Sequence, residues 1–112
     1  MSEKTDGVIE LTDADFDAGT VAEGWCLVDF YATWCPHCKA FRPDYEAFAD
    51  SYGGPVKLYA ADVDAAKSAT KAHKVRSIPC LVLLRDGEIV QSKTGAMKPD
   101  ALAAWLEEHV TG

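Results

Sequence analysis

A largely apolar run from Trp25 to Ala32 is the feature that most constrains how this chain folds. Aliphatic, β-branched and aromatic residues fill the run, and Asp29 is its one charged member. Gly24 precedes the run, and a segment with two cysteines follows it. A short apolar run bounded in this way predicts a central strand that is buried on both faces. The rest of the fold must therefore cover both sides of this strand.

An amphipathic helix is predicted immediately after this strand, from Pro36 to Tyr52. Its apolar side chains recur at spacings of four, three and four residues, which places them on one stripe of a helix. We expect Pro43 to kink this helix, because its ring clashes with the preceding turn and removes one backbone donor. The stripe consists of Phe41, Tyr45, Phe48 and Tyr52.

Strand-like and helix-like segments alternate along the remainder of the chain. A capping box predicts a first helix in "LTDADFDAGT". A further strand is predicted in "VKLYAADVD", and a helix that begins near Asp64 follows it. Asp86 and Gly87 join two more strands as a hairpin before a last helix in "KPDALAAWLEEHV". This alternation predicts an α/β fold, with one extra strand left open at "GVIEL".

Size, charge and cysteine content set the class of protein. The 112 residues, of which 48% are hydrophobic, suit a single compact domain over residues 1–112. The net charge of −7 argues against nucleic acid or an anionic membrane surface as a partner. The polar, acidic start has no apolar leader, so we expect a cytoplasmic protein. In that reducing compartment, a close cysteine pair is expected to be catalytic or metal-binding rather than a structural disulfide.

Cys35 and Cys38 have the spacing of a redox-active pair. Cys35 falls near the start of the predicted helix, where unpaired N–H groups and the helix dipole favour a thiolate. Cys38 lies one turn later on the same side, within reach of a disulfide bond. Pro36 presets the first turn, and His37 can donate a hydrogen bond or place a positive charge beside a thiolate. We predict that Cys35 attacks, Cys38 resolves and His37 makes the couple more oxidising.

Asp29 is the candidate proton acceptor for this pair. A carboxyl group in an apolar strand costs free energy to bury, so its pKa is expected to rise toward a value that suits a general base. A buried aspartate can also be structural, with its oxygens satisfied by the backbone or by water. The position of Asp29, six residues before Cys35, favours the catalytic interpretation.

These motifs together resemble the thioredoxin family over essentially the whole chain. The resemblance rests on "VDFYATWCPHC", the helix with Pro43, "SIP" ending at Pro79, the hairpin turn and "TGAMKPD" before the last helix. It implies a thioredoxin fold, with a central mixed five-stranded sheet flanked by four helices. It also implies that Pro79 is cis and faces the cysteine pair. The shallow substrate-docking surface implied by the resemblance consists of Trp34, Ile78, Pro79, Gly95 and Ala96.

The activity implied by the resemblance is that of a protein-disulfide oxidoreductase, an electron carrier of thioredoxin type. The redox group would be the disulfide between Cys35 and Cys38, with no other cofactor and no metal. We expect protein disulfides as substrates, a thioredoxin reductase-like protein as the electron donor, and a monomeric chain.

The sequence departs from the family pattern at three places that bear on chemistry. Pro36 and His37 replace the usual Gly-Pro and resemble the DsbA-type oxidants, which again suggests a more oxidising couple. Ala60 stands where many thioredoxins carry a lysine near the buried aspartate, so Asp29 should hold its proton more readily. Cys80 replaces the usual threonine after Pro79. It is either a small buried strand residue or a third thiol near the site.

Two other functions compete with the oxidoreductase. The first is a metal or cluster site built from Cys35, Cys38, Cys80 and His37, but structural zinc sites commonly use two ligand pairs and this sequence has one. The second is a thioredoxin-fold binding module with incidental thiols, which a missing cysteine or a missing Pro79 would favour. Neither is missing, so the oxidoreductase remains the prediction.

Overall fold

The computed structural model describes residues 8–110, which form five strands and four helices. The strands are β1 (Ile9–Leu11), β2 (Trp25–Tyr31), β3 (Lys57–Asp62), β4 (Cys80–Arg85) and β5 (Glu88–Thr94). The helices are α1 (Asp13–Asp17), α2 (Pro36–Ser51), α3 (Lys67–Ala72) and α4 (Pro99–His109). The strands form one mixed sheet in the order β1-β3-β2-β4-β5. This arrangement confirms the predicted α/β fold, including the strand that had been left open near the N-terminus.

Strand β2 lies at the centre of the sheet, as its apolar composition predicts. It pairs in parallel with β3 on one side and antiparallel with β4 on the other. Asp29 is opposite Ala60 in β3 and opposite Leu81 in β4. Side chains from Trp25 to Phe30 are all buried, because helices cover both faces of the strand.

The two faces of the sheet carry separate hydrophobic cores. Since side chains alternate along a strand, Val28 and Phe30 lie on one face of β2 and Leu27 lies on the other. Phe16 of α1 and Ala69 of α3 pack on the first face. The helix stripe predicted from the sequence packs on the second face together with α4. The buried members from these two helices are Phe41, Tyr45, Phe48, Ala49, Leu102 and Leu106.

Of three local features predicted from the sequence, the capping box and the hairpin turn are present, and the start of the third helix differs. The Thr12 backbone N–H donates to the Asp15 carboxylate at 2.8 Å, which is one half of the predicted capping box. Asp86 and Gly87 have φ of 52° and 85°, the left-handed values of a two-residue hairpin turn. The predicted start of the third helix is wrong. Helix α3 begins at Lys67, because a turn closed by hydrogen bonds to Asp62 precedes it.

Within residues 8–110, none of the helices combines the length and the apolar composition needed to cross a membrane.

The hydroxyl of Tyr45 ties α2 to the centre of the sheet and gives a test of this packing. It is fully buried and donates to the backbone carbonyl of Tyr59 in β3 at 2.7 Å. We expect Tyr45→Phe to lower the free energy of unfolding by about 1 kcal/mol, since one buried hydrogen bond is lost. Urea unfolding measures the change. Tyr52→Phe is the control at the half-buried end of the same helix and should cost less, because the Tyr52 hydroxyl accepts only a longer hydrogen bond, from the Val56 N–H at 3.4 Å. Equal midpoints for the two variants would contradict the prediction.

Candidate active site

The site forms where the central strand runs into helix α2. Strand β2 ends at Tyr31, and Cys35 is the N-cap residue of α2, with extended backbone angles. The backbone N–H of Cys38 donates to the Cys35 sulfur at 3.2 Å. A helix N-terminus leaves several N–H groups without intrahelical partners, and here one of them is directed at a sulfur atom. This geometry stabilises negative charge on Cys35.

The two sulfurs are not joined by a disulfide bond and are largely covered. Cys35 is 5% exposed and Cys38 is 3% exposed, and both pack against Ala32. Burial raises the pKa of the Cys38 thiol to about 12, and its interaction with the Cys35 thiol adds to the increase. At neutral pH the Cys38 thiol is therefore almost entirely protonated. Cys38 therefore needs a proton acceptor before it can react as a nucleophile.

Strand register brings the predicted docking residues to the same end of the sheet. Phe30 at the end of β2 pairs with Cys80 at the start of β4, and Cys80 pairs with Thr94 at the end of β5. The residues beyond these positions are consequently neighbours. The Ile78 carbonyl lies 4.0 Å from the Cys35 sulfur, and the peptide bond between Ile78 and Pro79 is cis. The Gly95 N–H donates to the Pro79 carbonyl at 2.8 Å.

Exposed residues surround the buried thiols. Trp34 is 65% exposed, and its indole N–H donates to the Asp64 carboxylate at 3.0 Å. This hydrogen bond fixes one edge of a large aromatic ring beside Cys35. Pro36, His37 and Ala96 are also exposed, whereas Ile78 and Gly95 are half-buried and Pro79 is buried.

Asp29 lies beneath the site as a buried carboxyl group without a compensating contact. It is 1% exposed, and neither of its carboxylate oxygens has a hydrogen-bond partner among the described residues. Burial raises the pKa of Asp29 from 3.8 to about 7, while the charge of Arg42 lowers it and the charge of Glu10 raises it. An aspartate in this state exchanges a proton near neutral pH, which is the property predicted from its place in the apolar strand.

Arg42 is the site residue that the sequence analysis did not identify. The replacement of a lysine by Ala60 led us to expect no cation near Asp29. Arg42 supplies one from helix α2, where it contacts Glu10 and lies 2.9 Å from Glu46. A signal was present in the sequence, because Arg42 follows Cys38 by four residues and so lies on the same face of the helix.

Cys80 lies close to the site along the chain but faces the other side of the sheet. It packs with Phe30 in the core beneath α1 and α3, it is 5% exposed, and burial raises the pKa of its thiol. Cys26 lies four positions back along β2, opposite Leu84. Two thiols separated by about 13 Å along paired strands cannot form a disulfide.

Metal-ligand geometry is not found in the part of the chain that the structure describes. Among residues 8–110, no three or more His, Cys, Asp or Glu side chains are grouped so that they could hold an ion.

Comparison with known proteins assigns the chain to a family. The thioredoxin family model matches residues 7–108. The chain belongs to the thioredoxin family. Thioredoxin C-2 of Corynebacterium nephridii is 36% identical over 104 residues, which cover 92% of this chain and 96% of that protein. The thioredoxin of Staphylococcus epidermidis is 38% identical and that of Staphylococcus aureus 39%, each over 103 residues that cover 92% of this chain and 98% of the relative.

Membership of the thioredoxin family confirms the predicted enzyme class. Thioredoxins are disulfide oxidoreductases that act as electron carriers through a pair of cysteines and need no separate cofactor. Cys35 and Cys38 lie together at the start of α2, where the chemistry requires such a pair.

The raised pKa of Asp29 makes folding stability depend on pH. Between the ordinary value of 3.8 and the folded value of about 7, the folded chain keeps this carboxyl protonated while the unfolded chain has released the proton. The unfolded state binds fewer protons in this window, so the free energy of unfolding falls as pH rises. The total fall is about 4 kcal/mol, and the contribution is constant above the window.

We therefore expect Asp29→Asn to remove this fall and to be more stable than the parent above neutral pH. Urea unfolding of the reduced proteins from pH 4 to pH 8 measures the profiles. Asp50→Asn, at an exposed position of α2, is the control and should keep the parent profile. Parallel profiles for the parent and Asp29→Asn would show that the ionisation of Asp29 does not set the pH dependence.

Proposed function

We propose that this member of the thioredoxin family reduces protein disulfides in the cytoplasm by cycling Cys35 and Cys38 between the dithiol and the disulfide. The observation that carries the proposal is the hydrogen bond from the Cys38 backbone N–H to the Cys35 sulfur at the start of α2. It distinguishes the two sulfurs, since Cys35 receives the stabilisation of the helix N-terminus and Cys38 does not. Cys35 is therefore the nucleophile and Cys38 the resolving thiol.

The first half of the reaction joins Cys35 to the substrate. The Cys35 thiolate attacks one sulfur of a substrate disulfide, forms a mixed disulfide and displaces the other substrate sulfur as a thiolate. That leaving thiolate takes a proton from solvent. Pro36 supports this step by holding the first turn of α2 in helical geometry, so that the N–H groups point at the attacking sulfur.

The second half of the reaction requires a base. Asp29 takes the proton of Cys38, and the resulting thiolate attacks the Cys35 sulfur of the mixed disulfide. The Cys35–Cys38 disulfide forms and the second substrate sulfur leaves as a thiolate, which takes a proton from Asp29 or from solvent, so that two electrons and two protons have passed to the substrate. With a pKa of about 7, Asp29 is close to half ionised at neutral pH and can both accept and release this proton.

An extended substrate segment would dock across the exposed surface beside Cys35. Trp34 offers a large apolar face that its hydrogen bond to Asp64 holds in place. The backbone between Ile78 and Pro79 passes the attacking sulfur and can align a substrate strand by main-chain contacts. The proposed docking surface consists of Trp34, Ile78, Pro79, Gly95 and Ala96.

The physiological setting follows from the same chemistry. Recycling requires an electron donor, for which we propose a thioredoxin reductase-like protein, and the monomer suffices because one chain carries both sulfurs. Cys26 and Cys80 lie too far apart along their paired strands to form a structural disulfide with each other. The burial of Cys80 on the opposite face of the sheet supports its interpretation as a core residue.

Trapping the mixed disulfide tests the roles of the two sulfurs. We expect Cys38→Ser to accumulate a covalent complex with a disulfide-bonded protein substrate, because the resolving thiol is absent. Cys35→Ser should form no complex and should lose substrate reduction altogether. Mass spectrometry of the acid-quenched reaction detects the adduct.

Cys26→Ala is the matched control for trapping, since this thiol lies at the far end of β2 and is fully buried. It should reduce the substrate at the rate of the parent. An adduct on Cys38 in the Cys35→Ser variant would reverse the assignment.

The contribution of His37 is tested by the reduction potential. His37 is exposed on the first turn of α2, next to both cysteines. A positive charge there stabilises the thiolate and hence the reduced state, which makes the couple more oxidising. We expect His37→Gln to make the potential more negative by about 30 mV, measured against a glutathione series. A potential that is unchanged or more positive would show that His37 does not tune the couple.

A further inference from the structure

A row of three residues crosses the sheet beneath helix α2. Glu10 of β1 is paired with Ala60 of β3, and Ala60 is paired with Asp29 of β2. Side chains paired across parallel strands point to the same face, and neighbouring strands are about 4.8 Å apart. The small, fully buried Ala60 thus separates two carboxyl groups, one exposed at the edge of the sheet and one buried at its centre.

Arg42 lies over this row from the helix above. Its guanidinium contacts the Glu10 carboxylate, and its Nε lies 2.9 Å from Glu46. The same guanidinium lies 5.1 Å from the centre of the Tyr31 ring, and the Tyr31 hydroxyl donates to Glu10 at 2.6 Å. The Arg42 side chain is 25% exposed. Contacts with Glu10, Glu46 and Tyr31 hold the guanidinium at one position above the sheet, because a planar group with several donors can bind several partners at once.

The position of Arg42 connects it to the resolving thiol. Arg42 and Cys38 both line a cavity of about 230 Å³ that opens beside Tyr31 and Lys39. Asp29 lies two residues before Tyr31 on the same face of β2, and its charge helps to raise the pKa of the Cys38 thiol. The cation and the proposed base are therefore both close to the same thiol.

We propose that Arg42 is a positioning residue for Asp29: its guanidinium, held by Glu10 and Tyr31, stabilises the ionised carboxylate and so sets the pH at which Asp29 accepts the Cys38 proton. The effect of Arg42 on the deprotonation of Cys38 rests on the proposed role of Asp29 as the base. The stabilisation of the ionised Asp29 carboxylate by Arg42 does not depend on any reaction.

The physical basis is the balance between burial and two charges of opposite sign. Burial favours the protonated carboxyl, Arg42 favours the ionised form, and Glu10 opposes Arg42. Because Ala60 brings no charge to the row, the cation must come from the helix. The charged and titratable groups that face Asp29 from the elements packed around it are Arg42, Cys38 and Tyr45 on α2 and Glu10 on β1, whereas the Cys80 thiol of β4 lies on the opposite face of the sheet.

The test follows the ionisation of Asp29 directly, by the pH dependence of its side-chain ¹³C carboxyl signal in the reduced full-length chain. We expect Arg42→Gln to raise the pKa of Asp29 by about one pH unit. Arg42→Lys should restore most of the parent value, since it keeps the charge. Glu10→Gln should move the titration in the opposite direction, to lower pH. If Arg42→Gln does not fold, the other two variants still carry the test.

Lys39→Gln is the matched control, because it removes one positive charge from the same helix and the same cavity. It should leave the Asp29 titration in place. An Asp29 titration that is unchanged in Arg42→Gln, or that moves to higher pH in Glu10→Gln, would overturn the proposal. An equal shift in Lys39→Gln would overturn it too, because the effect would then be one of net charge.

The rate of mixed-disulfide resolution separates this inference from the proposed function. If the Asp29 titration moves as expected and the pH profile of mixed-disulfide resolution moves with it, the role of Arg42 and the role of Asp29 as the base are both supported. If the titration moves and the rate profile does not, Arg42 holds the charge of Asp29 as proposed, but Asp29 is not the base for Cys38.

Discussion

The hydrogen bond from the Cys38 N–H to the Cys35 sulfur is the interaction on which the site depends. It exists because a buried strand ends one short turn before a helix begins, so that a sulfur replaces the usual oxygen at the N-cap. The sheet holds the end of β2 in place from both sides, and the stripe of α2 holds the helix against the sheet. A shift of either element would separate the sulfur from the N–H group that stabilises it.

The two sulfurs are almost equally buried, and their hydrogen bonds distinguish them. Cys35 accepts the N–H of Cys38 at the helix start, whereas desolvation and the neighbouring Cys35 thiol raise the pKa of the Cys38 thiol to about 12. The same desolvation raises the pKa of Asp29 to about 7. The raised pKa values of the Cys38 thiol and of the Asp29 carboxyl thus share one main cause, which is burial. The protein tolerates an unpaired buried carboxyl there at a cost in stability above neutral pH.

Much of this arrangement could be predicted from the sequence. The apolar run fixes β2 as the central strand, and the Asp86-Gly87 turn fixes the pairing of β4 with β5. The position of Cys35 at a helix start follows from the strand and stripe on either side of it. These predictions succeed because each depends on residues that are close in the sequence.

The parts that could not be predicted depend on contacts between distant segments. Arg42 meets Glu10 across 32 residues, and only the pairing of β1 with β3 and of β3 with β2 places that contact above Asp29. Because Ala60 stands where many thioredoxins carry a lysine, the sequence predicted that no cation lies near Asp29. The start of α3 was also missed, because the turn at Asp62 uses hydrogen bonds that composition does not reveal.

The unequal reactivity of the two sulfurs is the central claim, and competitive alkylation of the reduced protein tests it most directly. A limiting amount of iodoacetamide at neutral pH, followed by peptide mass spectrometry, gives the order in which Cys35 and Cys38 are modified. The account predicts that Cys35 is alkylated well before Cys38, with Cys26 and Cys80 unmodified in the folded chain. Equal rates for Cys35 and Cys38, or faster reaction of Cys38, would contradict it.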